Sequence, residues 1–229
     1  MKKDSCLPFS YMNTGAFKKA YSNVKKEIKT NFLTNNNRKL KYTSKINNAR
    51  IFEFNLPAYK IDNEIVCPFA DECKNFCYAK KGTYLYKNVV LKYKNNYYAT
   101  KKDNFVNLIQ KEIDKKKPTH IRVHSSGDYY NIKYLKKWYE IANNNKDIIF
   151  YSYTNSKPFF KNDKLPIPKN YKIIFSLGGK KDNLINIKKD RHAKIFNNEL
   201  DLLNDGYVNA SKNDLVAIGT SKKIGLIFH

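Results

Sequence analysis

Long hydrophobic runs are missing from this chain of 229 residues, and none approaches the roughly 20 residues of a membrane span. The start, "MKKDSCLPFSYMNTG", is charged but leads into no apolar stretch of about 7–15 residues, so it does not read as a secretory signal. These absences predict a cytoplasmic protein with no membrane partner. Cysteine is scarce, with four in the chain. In a reducing compartment such cysteines serve metals or chemistry more often than disulfides. There is no Walker-type phosphate loop, no G-x-S-x-G elbow and no H-E-x-x-H pair. No internal repeat is visible.

Arginine is nearly absent, confined to Arg38, Arg50, Arg122 and Arg191, yet lysine lifts the formal net charge to +24. Lysines that neutralise phosphates release counterions, so this charge suggests a nucleic-acid or nucleotide substrate. It also fits the Lys/Asn/Ile/Tyr bias of an AT-rich genome, visible in "NNNRKLKYTSKINN" and "NNNKD". Charge speaks to association rather than to fold.

At 41% hydrophobic, the chain suits one domain with a real core. Residues 1–50 read as a basic N-terminal extension packing on or flanking that core, with a short helix in "TGAFKKAYSNVKKEI". Residues 51–229 read as an α/β domain. "IFEFNLPAY" predicts a strand, and residues 85–116 a helical region with Phe105, Leu108, Ile109 and Ile113 on one face. "THIRVHSSGD", "DIIFYSYTNS", "YKIIFSLGG", "DLVAIGT" and "IGLIFH" predict further strands, and "IKYLKKWYEIANNN" and "IFNNELDLLN" helices. The alternation indicates a mainly parallel sheet whose C-terminal strand ends form a ligand-binding rim. The cysteine loop follows the first strong strand and should lie on that rim.

Three cysteines, Cys67, Cys73 and Cys77, fall in "CPFADECKNFCYAKKG" with the pattern C-x5-C-x3-C. Structural zinc sites commonly use C-x2-C pairs and close four ligands around the ion. A zinc site here needs a distant fourth ligand, from Cys6, His120, His124, His192 or His229, with His124 best placed at a strand end. A [4Fe–4S] cluster is the alternative. Three thiolates leave one iron open to an exchangeable ligand, as a catalytic site requires. Cys6 otherwise reads as an unpaired thiol or a small packed hydrophobe.

The cysteine segment resembles that of the radical S-adenosylmethionine (SAM) enzymes, whose usual motif is C-x3-C-x-aromatic-C after the first strand of a partial (β/α)6 barrel. "CKNFC" gives the later pair, and Phe76 precedes the last cysteine as the family's aromatic does. Both gaps are longer here. The resemblance implies a partial (β/α)6 TIM-type barrel, with Cys67, Cys73 and Cys77 holding a [4Fe–4S] cluster and SAM on its open iron. It also implies an electron donor such as flavodoxin or ferredoxin. Where that family ends its second strand with a Gly-Gly-Glu-like motif for the SAM ammonium, this chain has Ser125, Ser126, Gly127 and Asp128. Asp128 read structurally is an N-cap for the next helix. Thr154, Asn155 and Ser176 fall where the family holds the ribose and carboxylate of SAM, and Tyr78 where a ring would shield the cluster or pack on SAM; ordinary strand-end polar residues are the plainer account of the first three.

Residues 54–160, with "CPFADECKNFCYAKKG", "IRVHSSGDYYN" and "FYSYTNSKPF" in order, are also similar to the phage-encoded gene product eighty-eight proteins. That resemblance implies a bacterial host's cytoplasm and names no substrate. Along "HIRVHSSGD", Arg122 and His124 alternate with apolar residues, so both are expected inside a barrel facing substrate, where Arg122 could hold a carboxylate or phosphate. The other account is an outer-face pair satisfied under a helix. Trp138, Tyr129, Tyr130 and Tyr134 read as helix packing and "DRHAK" as an exposed helix start. The two functional expectations are a radical SAM-type enzyme and a zinc-stabilised nucleic-acid-binding protein without turnover.

Overall fold

The computed structural model describes residues 31–75, 77–162 and 165–228. Cys6, the expected helix in residues 14–28, Phe76 and His229 lie outside the described residues. In chain order the elements are α1 (Arg38–Ile46), β1 (Ile51–Phe54), β2 (Lys60–Ile61), β3 (Glu64–Ile65), α2 (Lys87–Thr100), α3 (Phe105–Lys116), β4 (His120–Val123) and α4 (Ile132–Asn144). They continue with β5 (Ile149–Thr154), α5 (Lys157–Lys161), β6 (Tyr171–Ser176), β7 (His192–Phe196), α6 (Glu199–Asn204), β8 (Val208–Asn209) and β9 (Lys223–Ile227). Strands β2 and β3 form a separate antiparallel hairpin.

The main sheet has seven strands in the order β1-β4-β5-β6-β7-β9-β8, and each neighbouring pair is parallel. Apart from short β8, spatial order follows chain order, so every crossover steps in the same direction. Right-handed crossovers then put the helices on one face. That face carries Phe54, Ile121, Val123 and Phe150, packed against Ile109 of α3 and Leu135 and Trp138 of α4. Trp138 is fully buried and meets Phe54 edge-on at 5.2 Å and Phe105 at 5.8 Å. Each such aromatic pair is worth about 0.5–1.5 kcal/mol beyond its area. Helix α4 starts where Asn131 accepts from Tyr134 N at 2.8 Å, and its apolar positions recur on one side.

The opposite face carries the alternate residues of each strand: Ile51, Tyr151, Ile174, Ala193 and Ile224. The sheet is loosely barrel-like and does not close, since β1 and β8 are its two end strands and do not pair with each other. Helix α1 and the 3₁₀ turn Asp214–Ile218 pack together on this face, contributing Leu40 and Ala217. Residues from the N-terminal extension therefore enter the core: Phe32, Leu33 and Leu40 are buried.

Four local expectations are corrected. "IFEFNLPAY" pairs only over β1. The region 85–116 breaks into α2 and α3. "DLVAIGT" is the 3₁₀ turn Asp214–Ile218, because Asn213 Oδ1 accepts Leu215 N at 3.1 Å and winds the chain. "DRHAK" runs into strand β7, where His192 N donates to Lys222 O at 2.8 Å beside β9.

Candidate functional site

A cavity of about 430 Å³ opens at the C-terminal rim of the sheet, bordered by Cys67, Cys73 and Cys77 together with Ser126, Asp128 and Asn155. The cysteine loop reaches it by backbone bonds. Cys67 N donates to Tyr59 O at 3.1 Å, after a left-handed turn at Tyr59 (φ 61°). An antiparallel bridge joins Ala70 to Gly179, and Cys73 N donates to Gly178 O at 3.3 Å. Cys77 then opens the 3₁₀ turn Tyr78–Lys80. The loop is thereby stitched across the end of β6, with all three thiols on one opening.

Burial pushes all three thiols up from their ordinary value, Cys67 furthest, with Asp128 adding to the rise at Cys67. Thiols raised in this way stay protonated near neutral pH. Among the described residues no three Cys, His, Asp or Glu side chains converge tightly enough to hold one ion. The histidines offer little to the trio: His192 uses both ring nitrogens, on Asp190 O at 3.0 Å and Tyr207 Oη at 3.0 Å. His120 Nδ1 lies 2.9 Å from Thr119 Oγ1.

The "SSGD" segment is held from below by a residue the sequence reading missed. Asn55 Oδ1 accepts Ser125 N at 2.7 Å and Ser126 N at 3.2 Å. Gly127 has φ +82°, and a Cβ there would lie 2.5 Å from Leu56 Cβ, so only glycine fits. Asp128 does not cap α4, a job done by Asn131. Its carboxylate accepts Thr154 Oγ1 at 2.6 Å, Tyr129 N at 2.7 Å and Asn155 N at 2.8 Å. Burial raises its pKa to about 6 against the pull of those three donors. Ser126 Oγ is buried with no protein partner among the described residues. Ser176 ends β6 on the cavity wall, and Tyr78 closes another side, its hydroxyl bonded to Ser125 O.

Arg122 and His124 part company. Arg122 sits on the inner face in register with Glu53 and Tyr151. Its Nη1 donates to both oxygens of Asp214 at 3.1 Å, and its guanidinium lies 4.9 Å from the Tyr153 ring. Lys39 Nζ reaches the same Asp214 at 2.7 Å, and Tyr151 Oη donates to it at 2.7 Å. His124 takes φ 72°, which breaks the strand alternation. Its Nε2 lies 2.8 Å from Tyr134 Oη of α4, and burial lowers its pKa to about 3, so the ring is neutral. Glu53, whose pKa burial raises, accepts from Ser125 Oγ and from Asn37 Nδ2 at 3.3 Å. Of the missed residues, Glu53 left a signal, a charge at inward parity in "IFEF"; Lys39, Asn55, Asp214 and Lys157 left none.

Fold and site together define an α/β protein with three thiols around a cavity at the C-terminal rim of a parallel sheet. A family model described as Gene product 88 matches residues 25–227, and the chain belongs to that family. No curated protein and no solved structure matches it.

Proposed function

We propose that the protein is a radical SAM-type enzyme in which Cys67, Cys73 and Cys77 hold a [4Fe–4S] cluster, and that its open sheet is the partial (β/α)6 barrel of that class. The observation carrying this reading is the shared cavity: three half-buried thiols and the "SSGD" turn border one opening of about 430 Å³, within the usual range for small-molecule sites. A [4Fe–4S] cluster held by Cys67, Cys73 and Cys77 would supply one-electron reduction, from a flavodoxin- or ferredoxin-like donor, of a SAM molecule bound at its open iron, giving methionine and a 5′-deoxyadenosyl radical.

The chain's own groups divide the remaining work. Ser126 Oγ, buried and without a partner among the described residues, is an acceptor for the SAM ammonium, and the Asp128 carboxylate two residues on adds negative charge. Thr154 and Asn155 act through Asp128, since both donate to its carboxylate. The inner floor bears Arg122 and Lys39 against one ionised Asp214, and among the described residues Arg122 Nε and Tyr153 Oη have no protein partner. That donor-rich floor suits the anionic part of a nucleotide substrate. His124, neutral and bonded to Tyr134, sets the shape of the wall and is not a proton carrier near neutral pH. The proposed setting is the cytoplasm of a phage-infected bacterium; no helix among the described residues is long and apolar enough to cross a membrane.

The test is anaerobic reconstitution with metal analysis and EPR, with and without SAM. About four irons per chain and a reduced-state signal that changes with SAM are expected. One zinc and no iron would overturn the reading in favour of a zinc-stabilised nucleic-acid-binding protein.

A further inference from the structure

Lys157 is fully buried at the start of α5, beside the cavity. A buried ammonium is costly unless well paired. It has two acceptors, Asp182 Oδ1 at 2.7 Å and Asn155 Oδ1 at 3.0 Å. Asp182 is itself fixed by Gly178 N at 2.7 Å and Gly179 N at 3.1 Å. A Cβ on Gly179 would lie 2.4 Å from Asn155 Oδ1 and 2.9 Å from Lys157 Nζ, so a glycine is required for the arrangement to close.

The ammonium determines which way the Asn155 carboxamide faces. Only its oxygen can accept from Lys157, so the NH2 end turns the other way. That end, Nδ2, lies 3.4 Å from Cys73 Sγ. The main chain of Asn155 is pinned as well, its N–H donating to Asp128 Oδ2 at 2.8 Å. Cys73 is anchored to the same glycine turn through its own N–H to Gly178 O at 3.3 Å. Sulfur and donor are therefore tied to one rigid turn, and the donor cannot flip without setting its NH2 against an ammonium.

We infer that Asn155 is a positioning residue whose locked carboxamide donates to Cys73 Sγ, that Lys157 is its lock, and that the pair raises the reduction potential of the cluster held by the three thiolates. The inference rests on the cluster reading above. A hydrogen bond to a ligating sulfur stabilises the state carrying more negative charge, which is the reduced one.

The experiment is a redox titration of the anaerobically reconstituted protein, followed by EPR, on wild type, Asn155→Leu and Lys157→Met, with iron content and thermal unfolding measured alongside. Asn155→Leu is expected to lower the midpoint potential by about 59 mV, a tenfold change in the one-electron equilibrium. Lys157→Met, which keeps Asn155 but frees its amide to turn, shifts it less and in the same direction. A merely structural role would lower thermal stability and leave the potential of the loaded protein in place. Unchanged potentials in both iron-loaded variants overturn the inference alone, whereas a wild type that takes up no iron overturns it together with the cluster reading. Should Asn155→Leu not fold, Asn155→Ala decides, because it removes the donor without changing the charge near the thiols.

Discussion

The Arg122 guanidinium and the Asp214 carboxylate, 92 positions apart, meet on the concave face of the sheet with Nη1 3.1 Å from each oxygen. Lys39 from α1 joins at 2.7 Å, Tyr151 from β5 at 2.7 Å, and Asp214 N donates to Thr43 Oγ1 at 3.0 Å. One carboxylate thus ties the N-terminal helix, two central strands and the 3₁₀ turn into the open side of the sheet. Removing it leaves two cations facing each other in a buried setting.

Asp214→Asn is accordingly expected to cost about 3–5 kcal/mol near neutral pH, the usual range for breaking a buried ion pair from one side. The penalty depends on pH. Burial alone would raise this carboxyl, but Arg122 and Lys39 hold it at about 2, below its ordinary 3.8. A depressed folded pKa gives stability that is complete above 3.8 and is lost as pH falls through about 2. The wild-type advantage should therefore shrink by about 2 kcal/mol between pH 4 and pH 2. Urea unfolding of both proteins at several pH values checks this; a gap that stays constant across the window would sink the argument.

A second carboxylate anchors the segment just before α1. Glu112 of α3 accepts the backbone N–H of Phe32 and, at 2.9 Å, that of Leu33, while Lys116 bonds it at 2.6 Å. Glu112→Ala would leave two buried donors without an acceptor, at roughly 2–4 kcal/mol. Hydrogen exchange at the Phe32 and Leu33 amides should accelerate well beyond the change at Trp138 in the core. Uniform acceleration would mean that Glu112 acts on the whole fold rather than on this anchor.

The two carboxylates show what a linear reading can and cannot reach. Strands β4 and β5 and helix α4 were legible because period-2 and period-3.6 patterns survive in "HIRV", "IIFYSYT" and "IKYLKKWYEIA". Residues 214–218 escape a linear reading because a short apolar run suits strand or turn equally, and "DRHAK" reads as an exposed helix start because its charged residues hide the strand it opens. The cysteines stood out because they are rare. Lys157 and Lys39 could not, in a chain with 44 basic residues, since their roles come from partners that only the fold brings near. His124 was expected inward by alternation, and a single positive φ moved it toward α4.

The glycines offer a graded test of backbone strain. Gly127 and Gly82 both have positive φ, +82° and +60°. An alanine Cβ at Gly82 meets nothing within 4 Å, whereas at Gly127 it would meet Leu56 Cβ at 2.5 Å and Leu56 Cα at 3.2 Å. Gly82→Ala should cost only the left-handed strain, about 1–2 kcal/mol. Gly127→Ala adds a clash with Leu56, whose main chain is held to Ser126 O at 2.9 Å, and should exceed it by about 2 kcal/mol or more. Thermal unfolding of the two variants orders them, and equal melting points would show that Leu56 yields freely.

If Cys67, Cys73 and Cys77 hold the proposed cluster, the cysteine loop is the part of the protein that should depend on it most. Among the described residues between Cys67 and α2 the chain forms the Ala70–Gly179 bridge and the short 3₁₀ turns Glu72–Lys74, Tyr78–Lys80 and Gly82–Leu85, with Ala70, Ala79 and Leu85 buried. Such a segment has little apolar burial of its own to oppose local opening. Metal bound to Cys67, Cys73 and Cys77 would close it at three points, so trypsin should cut slowly at Lys74, Lys80 and Lys81 in the iron-loaded protein. After anaerobic chelation, cleavage there should rise at least tenfold while the sheet, buried under α2–α4, stays intact. Each of Cys67→Ser, Cys73→Ser and Cys77→Ser should reproduce the chelated pattern and lose iron, and Cys6→Ser should do neither. If iron-loaded and chelated proteins are cut at the same rate, the loop is held by its bonds to Tyr59, Gly178 and Gly179 alone, and the three cysteines contribute nothing to its order.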